Sequence, residues 1–305
     1  MYDLIIVGAG PAGISAGIYA ARKKLKILII SKDIGGQVAK KAVDIENYPG
    51  FEKISGPDLV ELYKKQIESN DLEVILDEVE NIKKSKNTFS VKTISGKTYE
   101  SIAVIVTSGA ESRKINIPGE EEFAGKGVSY CSLCDGPIFK GKNLAVIGGG
   151  NNGFESALFL SNYVPKVTIL EYGDKVNADS ENQADVAKHK NIEIITNAKA
   201  SKIDGEKFVK AIFYEDRLTG EEKKMEVEGV FVEIGYVPST NFLGDLVELN
   251  ENQEIIFNRE TLETKTPGLF SAGDCNVSKY KQIIIASGQG AVAALSAYNY
   301  IKKQK

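Results

Sequence analysis

The chain is poor in the residues that would commit it to a metal or to a disulfide framework. It has three cysteines and one histidine in 305 residues. Three cysteines cannot build the paired scaffold of a small secreted domain. The histidine, His189, lies in Lys188-His189-Lys190, which reads as a solvated turn, so a Cys₃His zinc site exists only formally. An excess of one charge is missing too: 38 Lys and Arg face 42 Asp and Glu, a net −4. That balance offers no general attraction to nucleic acid or to an anionic membrane. Lys23–Lys24 and Lys302–Lys303 read as solvated surface. No apolar run approaches the roughly 18 residues that span a bilayer. No basic, apolar and small-residue leader precedes the strand-like run Leu4–Val7. The expectation is a cytoplasmic chain without nucleic-acid or membrane partners, in which a CxxC is redox-active rather than structural.

What is present is ordinary in bulk and specific in pattern. Hydrophobic residues make up 42% and charged residues 26%, as in globular proteins. A length of 305 residues suits two domains of about 100–200 residues each. One device occurs twice. Asp3–Val7 is a strand-like run followed by Gly8-Ala9-Gly10-Pro11-Ala12-Gly13 and an Ala-rich helix to about Arg22. Asn143–Ile147 is followed by Gly148-Gly149-Gly150-Asn151-Asn152-Gly153 and a helical stretch towards Leu160. In a GxGxxG turn the first glycine permits the bend and the second lets backbone approach a pyrophosphate. The third allows the helix to pack on the strand. The helix N-terminus offers unpaired N–H groups and partial positive charge to the diphosphate. Two copies imply two dinucleotides and electron transfer between them; two mere tight turns are the bland alternative.

The first unit continues to Ser31-Lys32-Asp33, where an acidic residue usually holds the adenosine ribose, so that contact stays open. The second continues through Lys166–Leu170 to Glu171, near the ~20-residue spacing expected of a carboxylate that binds ribose hydroxyls. A surface glutamate at a strand end is the alternative. Thr266–Ala272 delivers Gly273 and Asp274 to a loop, where a carboxylate can hold a ribityl hydroxyl. The helix-compatible stretch Gln282–Ala291 would aim its positive end at a reduced isoalloxazine. Cys131-Ser132-Leu133-Cys134-Asp135-Gly136 is a CxxC in which a helix N-terminus lowers the thiolate pKa. The thiolate is the nucleophile of disulfide exchange, and Asp135 is placed to move a proton. Cys275 reads as a small buried residue.

Taken together, Gly8–Gly13, Gly35-Gly36-Gln37, Glu46-Asn47-Tyr48-Pro49-Gly50, Cys131–Gly136, Gly148–Gly153 and Gly273-Asp274 resemble the low-molecular-weight thioredoxin reductases over essentially the whole chain. Leu170-Glu171-Tyr172, Ile234–Pro238 and Tyr280–Ala286 are most similar to the reductase portion of the alkyl hydroperoxide reductase flavoprotein subunit. The resemblance implies an α/β fold of two Rossmann-like dinucleotide-binding domains. An FAD domain, residues 1–113 and 241–305, would be split by an inserted NAD(P)H domain, 114–240, that carries the CxxC and swings. It implies FAD contacts at Gly8, Gly10, Pro11, Ala12, Gly13, Gly36, Gln37, Asn47, Gly109, Gly273, Asp274, Gln282 and Ile283. It implies NAD(P)H contacts at Gly148, Gly150, Asn151, Asn152, Gly153 and Glu171. Cys131 would attack the partner disulfide, Cys134 would face the flavin, and Asp135 would be the acid/base. The partner would be a thioredoxin- or glutaredoxin-like protein and the assembly a homodimer. The alkyl hydroperoxide reductase flavoprotein has an extra N-terminal pair of thioredoxin-like domains; here any such relay is expected to be a separate protein.

One departure concerns the electron donor. NADPH-dependent relatives carry a His-Arg-Arg cluster after the second strand of the nicotinamide domain, whose guanidiniums bind the 2′-phosphate. Here that stretch reads Glu171-Tyr172-Gly173-Asp174-Lys175. A carboxylate there repels a phosphate, so NADH is expected in preference to NADPH. Phe154 either packs the helix on the sheet or narrows the cleft. The alternatives are a reductase of the same fold fed by ferredoxin or another donor, and a redox-sensing flavoprotein.

Overall fold

The computed structural model describes residues 1–41 and 45–305. The chain begins with β1 (Tyr2–Ala9), α1 (Pro11–Arg22), β2 (Ile27–Ile34), α2 (Gln37–Lys41), α3 (Gly56–Ser69), β3 (Val74–Leu76), β4 (Val79–Ser85), β5 (Thr88–Thr93), β6 (Thr98–Val106) and β7 (Ala110–Ser112). It continues with β8 (Val128–Ser129), α4 (Ser132–Asp135), β9 (Asn143–Ile147), α5 (Asn151–Ser161), β10 (Lys166–Leu170), α6 (Ser180–Val186), β11 (Ile192–Ile195), β12 (Ala198–Gly205), β13 (Val209–Asp216), β14 (Glu222–Glu226) and β15 (Gly229–Val232). It ends with β16 (Tyr236–Pro238), β17 (Leu269–Ser271) and α7 (Ile283–Gln304). Two compact units result: Met1–Glu111 with Val237–Lys305, and Ser112–Tyr236.

The first unit is built on a sheet ordered β3-β2-β1-β6-β5-β4, with β17 also paired to β6. β1 runs parallel to β2 and β6, while β4, β5 and β6 form an antiparallel meander. A central parallel strand is covered on both faces and must be apolar throughout, which is why Leu4, Ile5 and Ile6 are all fully buried. Side chains alternate between faces. Leu4 and Ile6 therefore join Ile14 and Ala16 of α1 and Ala293 and Ala297 of α7 in one core, while Ile5 and Val7 join Phe89, Val104 and Leu269 in another. Helices α1 and α7 approach closely because Gly290 has no side chain: a Cβ there would lie 2.0 Å from the Ala12 carbonyl oxygen.

The second unit has a sheet ordered β11-β10-β9-β15-β8 and a separate antiparallel sheet β12-β13-β14. Leu144 and Val146 of β9 face Phe154, Ala157 and Leu160 of α5; Ala145 and Ile147 face Ala200, Ile203 and Ile212 of the three-stranded sheet. Phe154 is fully buried in this core, so the packing reading of that residue holds. From β9 the chain steps to β10 on one side and later returns as β15 on the other, a topological switch whose crevice opens at the carboxyl ends of the strands.

Candidate active site

The two strand-to-helix turns have the same geometry. Gly8 and Gly148 have φ of +111° and +119°, in the left-handed region that glycine enters without strain. A Cβ on Gly13 would lie 1.8 Å from the Gly8 carbonyl oxygen, and one on Gly153 would lie 1.8 Å from that of Gly148. A Cβ on Gly10 or on Gly150 would meet nothing within 4 Å. Both middle glycines are N-caps, of α1 and α5 respectively, without a side-chain cap. The free N–H groups of each helix thus face open space, the arrangement that receives a diphosphate.

The residues expected on the flavin side sit in small local groups, of which Gly36 and Gly273 reach the first turn. Pro11 is the first residue of α1. Gly36, held by its N–H to Asp33 Oδ1 at 3.1 Å, brings its missing side chain to 3.6 Å from the Gly10 Cα. Gln37 donates Nε2 to the Ala110 carbonyl at 3.1 Å, while its Oε1 is buried without a partner among the described residues. Gly109 has φ +72° with open space beside it. The Gly273 N–H donates to Gln289 Oε1 at 2.8 Å. Asn47 Nδ2 donates to Gln282 Oε1 at 3.3 Å, and Gln282 caps α7, so Asn47, Gln282 and Ile283 meet at one helix start. Asp274 follows β17 in the loop, as expected; its carbonyl accepts Lys281 Nζ at 3.2 Å. An orphaned buried carbonyl oxygen and an open glycine cradle fit a flavin dinucleotide, which has donors for the one and a diphosphate for the other.

In the second unit Glu171 has a structural task that its spacing does not signal. Its carboxylate accepts the Gly149 and Gly173 N–H groups, each at 2.6 Å, and braces the glycine turn. Gly149 must lack a side chain for this, since a Cβ there would lie 2.7 Å from Glu171 Oε2. The first unit solves the same problem without an acid: the Ala9 N–H donates to Ser31 Oγ at 2.9 Å. Asn151 Oδ1 accepts the Asp179 N–H at 2.7 Å and so ties the start of α5 to α6, while Asn152 stays exposed. Arg217, from the turn after β13, carries no signal in the sequence. It donates to the Tyr172 carbonyl at 2.8 Å and sits 4.0 Å over that residue's ring. His189 is half-buried rather than a free surface residue, with Nδ1 3.2 Å from Ser161 Oγ.

Cys131 and Cys134 form a disulfide across the first turn of α4, with Cα atoms 5.3 Å apart. Cys131 is the N-cap, and its Sγ accepts the Cys134 N–H at 3.2 Å. Asp135 accepts Ser129 Oγ–H at 2.5 Å, and Ser129 Oγ in turn accepts the Cys131 N–H at 3.1 Å. Below the turn, Ser132 Oγ lies 2.8 Å from Ser156 Oγ, which donates to Glu233 Oε1 at 2.7 Å. Tyr130 donates to the buried Glu120 at 2.9 Å; burial and then that carboxylate push the phenol pKa up. No motif signals Ser129, which bonds the CxxC locally, and none signals Ser156, Glu120 or Glu233, which reach its neighbourhood from other elements. Cys275 is the free cysteine of the structure, fully buried, and burial raises its thiol pKa.

Residues 2–290 match the pyridine nucleotide-disulphide oxidoreductase family. The chain belongs to that family. It is 43% identical over 301 residues to the NADH dehydrogenase of Bacillus subtilis and 44% identical over 301 residues to an alkyl hydroperoxide reductase subunit of Staphylococcus aureus. Each alignment covers 98% of this chain but only 58% and 59% of those relatives' lengths. A thioredoxin reductase structure from Streptococcus pyogenes superposes with a TM-score of 0.93 at 34% identity, covering 99% of both chains. No helix among the described residues is long and apolar enough to cross a membrane.

Burial pushes the Glu233 carboxyl up to about 7 against the bonds from Ser156 and the Ser132 N–H, which lower it. The folded protein therefore holds a proton that the unfolded chain releases near the ordinary 4.5. Its stabilising contribution is full below pH 4.5 and is lost as pH rises through about 7, a change of about 3 kcal/mol. Urea unfolding of Glu233→Gln against the parent should show the variant gaining relative stability between pH 5 and 8. A difference that does not vary with pH would contradict the linkage.

Proposed function

We propose that the chain is an FAD-dependent NAD(P)H:disulfide oxidoreductase of the thioredoxin reductase type, passing electrons through Cys131–Cys134 to a thioredoxin- or glutaredoxin-like protein. The observation that carries this reading is a CxxC disulfide at a helix start, in the same unit as a second open glycine turn. A flavoprotein that only oxidised NADH would need no such dithiol. We assign Met1–Glu111 with Val237–Lys305 to FAD, held by Gly8, Gly10, Pro11, Ala12, Gly13, Gly36, Gln37, Asn47, Gly109, Gly273, Asp274, Gln282 and Ile283. Ser112–Tyr236 takes the nicotinamide nucleotide at Gly148, Gly150, Asn151, Asn152, Gly153 and Glu171. Bound flavin supplies the two-electron relay between a nicotinamide hydride donor and a disulfide.

The protein's own steps are thiol chemistry. Two electrons entering the Cys131–Cys134 bond break it. The Cys134 N–H stabilises Cys131 Sγ as a thiolate. That thiolate attacks the partner's disulfide, forming a mixed disulfide and expelling one partner thiolate. Cys134 then attacks Cys131 Sγ, restoring the internal disulfide and expelling the second. Asp135, anchored through Ser129, is the group that delivers a proton to a leaving sulfur.

NADH is the favoured donor. The support is Glu171 at the end of β10, together with an Arg217 guanidinium turned onto Tyr172. The relative named NADH dehydrogenase agrees. A cytoplasmic location suits a chain whose remaining cysteine is a buried thiol. A homodimer is supported by Ile284, Val292 and Leu295, exposed apolar residues on one face of α7 that a second copy would cover. In light scattering the particle is expected at twice 33.1 kDa; a monomer at micromolar concentration would contradict the dimer.

Steady-state assays with a thioredoxin-like acceptor should give a kcat/KM for NADH at least about tenfold above that for NADPH, the scale of one unfavourable charge contact. Cys134→Ser should abolish reduction of the protein acceptor and spare NADH-driven reduction of a small dye. Equal or greater efficiency with NADPH would defeat the donor assignment. Reduction of the flavin by reduced ferredoxin but by neither nucleotide would replace the donor altogether.

A further inference from the structure

Beneath the dithiol lies a carboxyl group that the exchange chemistry does not use. Glu233 directly follows β15 and is 8% exposed. Its N–H donates to the Ile147 carbonyl at 2.9 Å, and its own carbonyl oxygen lies where a Gly148 side chain would start, so it stands beside the second glycine turn. Its carboxyl accepts Ser156 Oγ–H at 2.7 Å and also bonds the Ser132 N–H, while the Ser156 and Ser132 hydroxyls are 2.8 Å apart. Ser132 is the neighbour of Cys131 and the first residue of α4. One carboxyl and one sulfur thus share the donor end of the same short helix, Glu233 through the Ser132 N–H and Cys131 through the Cys134 N–H. A negative charge on either makes a negative charge on the other less favourable.

The remaining surroundings do not compete for this role. Asp135, the other ionisable group of α4, is bonded to Ser129 at the β8 side. Glu155 on α5 is exposed. The influences on the Glu233 carboxyl are burial, the Ser156 hydroxyl and the Ser132 N–H, with no charged side chain among them. Its proton affinity is thus set by its burial and by the helix start it shares with the dithiol.

We propose that Glu233 is a positioning residue that tunes the Cys131–Cys134 couple, favouring the reduced pair when neutral and opposing it when ionised. The inference rests on the redox reading of the dithiol given above. Reduction breaks the S–S bond with two electrons and leaves Cys131 as a thiolate and Cys134 carrying one proton. Where Glu233 is ionised beside the disulfide, the new thiolate draws one further proton onto its carboxyl. The parent then takes up two protons for two electrons, and a chain without the carboxylate takes up one. The effect begins near neutral pH, where the buried carboxyl starts to ionise, and extends upward.

The test equilibrates the flavin-loaded protein, without nucleotide and without oxygen, against mixtures of reduced and oxidised dithiothreitol from pH 6 to 8.5. Alkylation and mass measurement count the Cys131 and Cys134 thiols. The reduction equilibrium constant of Glu233→Gln should match the parent at pH 6 and exceed it by about tenfold at pH 8.5. Ser156→Ala removes a bond that favours the ionised carboxyl, so it should keep the parent's behaviour but move it to higher pH. That second variant carries the test even if Glu233→Gln does not fold. A Gln-to-parent ratio that is constant with pH, or no displacement in Ser156→Ala, overturns the proposal. A parent disulfide that never equilibrates with dithiothreitol overturns the redox reading itself, and this inference with it.

Discussion

In each unit the strand-to-helix turn closes so tightly that a side chain on its third glycine would start 1.8 Å from the carbonyl oxygen of its first. This contact sets where the helix begins relative to the end of the parallel strand. It turns the middle glycine outward, so that Gly10 and Gly150 face open space and leave the free N–H groups of α1 and α5 uncovered. The candidate diphosphate contacts depend on that placement. The two turns are braced by different chemistry, Ser31 on Ala9 in one and Glu171 on Gly149 in the other. What the two units share is backbone shape, and what separates them is the polar group at the end of the second strand.

The dithiol depends on the same economy of backbone donors. The α4 helix is only one turn long, and its opening N–H groups serve Cys131 Sγ on one side and Glu233 on the other. Ser129 fixes Asp135 and the Cys131 amide together, so the carboxylate and the first cysteine of the disulfide are held by one hydroxyl. The Cys131 sulfur receives a backbone N–H from the start of this helix, a contact of the kind that lowers a thiol pKa.

Much of the fold could be read because its signals are local. The run Leu4–Val7, the glycine spacing and the Ala-rich stretch that follows encode a buried strand, a turn and a helix within about twenty residues. The CxxC and the helix at Ile283 were legible for the same reason. The pairing of the meander β4–β6 and of the sheet β12–β14 carries no such local motif, although β5 itself alternates strictly between half-buried and buried positions. Nothing local marks Gly149 in its glycine-rich turn; its missing side chain makes room for Glu171, which comes from the end of another strand. Ser132, Ser156 and Glu233 come from three separate elements, and only the packing of α4 and α5 beside the end of β15 makes them one network. No periodicity or motif records such a meeting. Arg217 escaped for the same reason, since the turn after β13 is far along the chain from Tyr172.

The most direct test of two dinucleotide sites is flavin content and nucleotide reducibility in Gly10→Val and Gly150→Val, compared side by side. Both side chains would enter space that holds no protein atom within 4 Å of the new Cβ, so neither change should unfold the chain. Gly10→Val is expected to purify without flavin. Gly150→Val is expected to keep its flavin and its dithionite reducibility but no longer to be reduced by NADH. Full flavin in the first, or unchanged NADH reduction in the second, would contradict the claim that each open glycine turn holds its own dinucleotide.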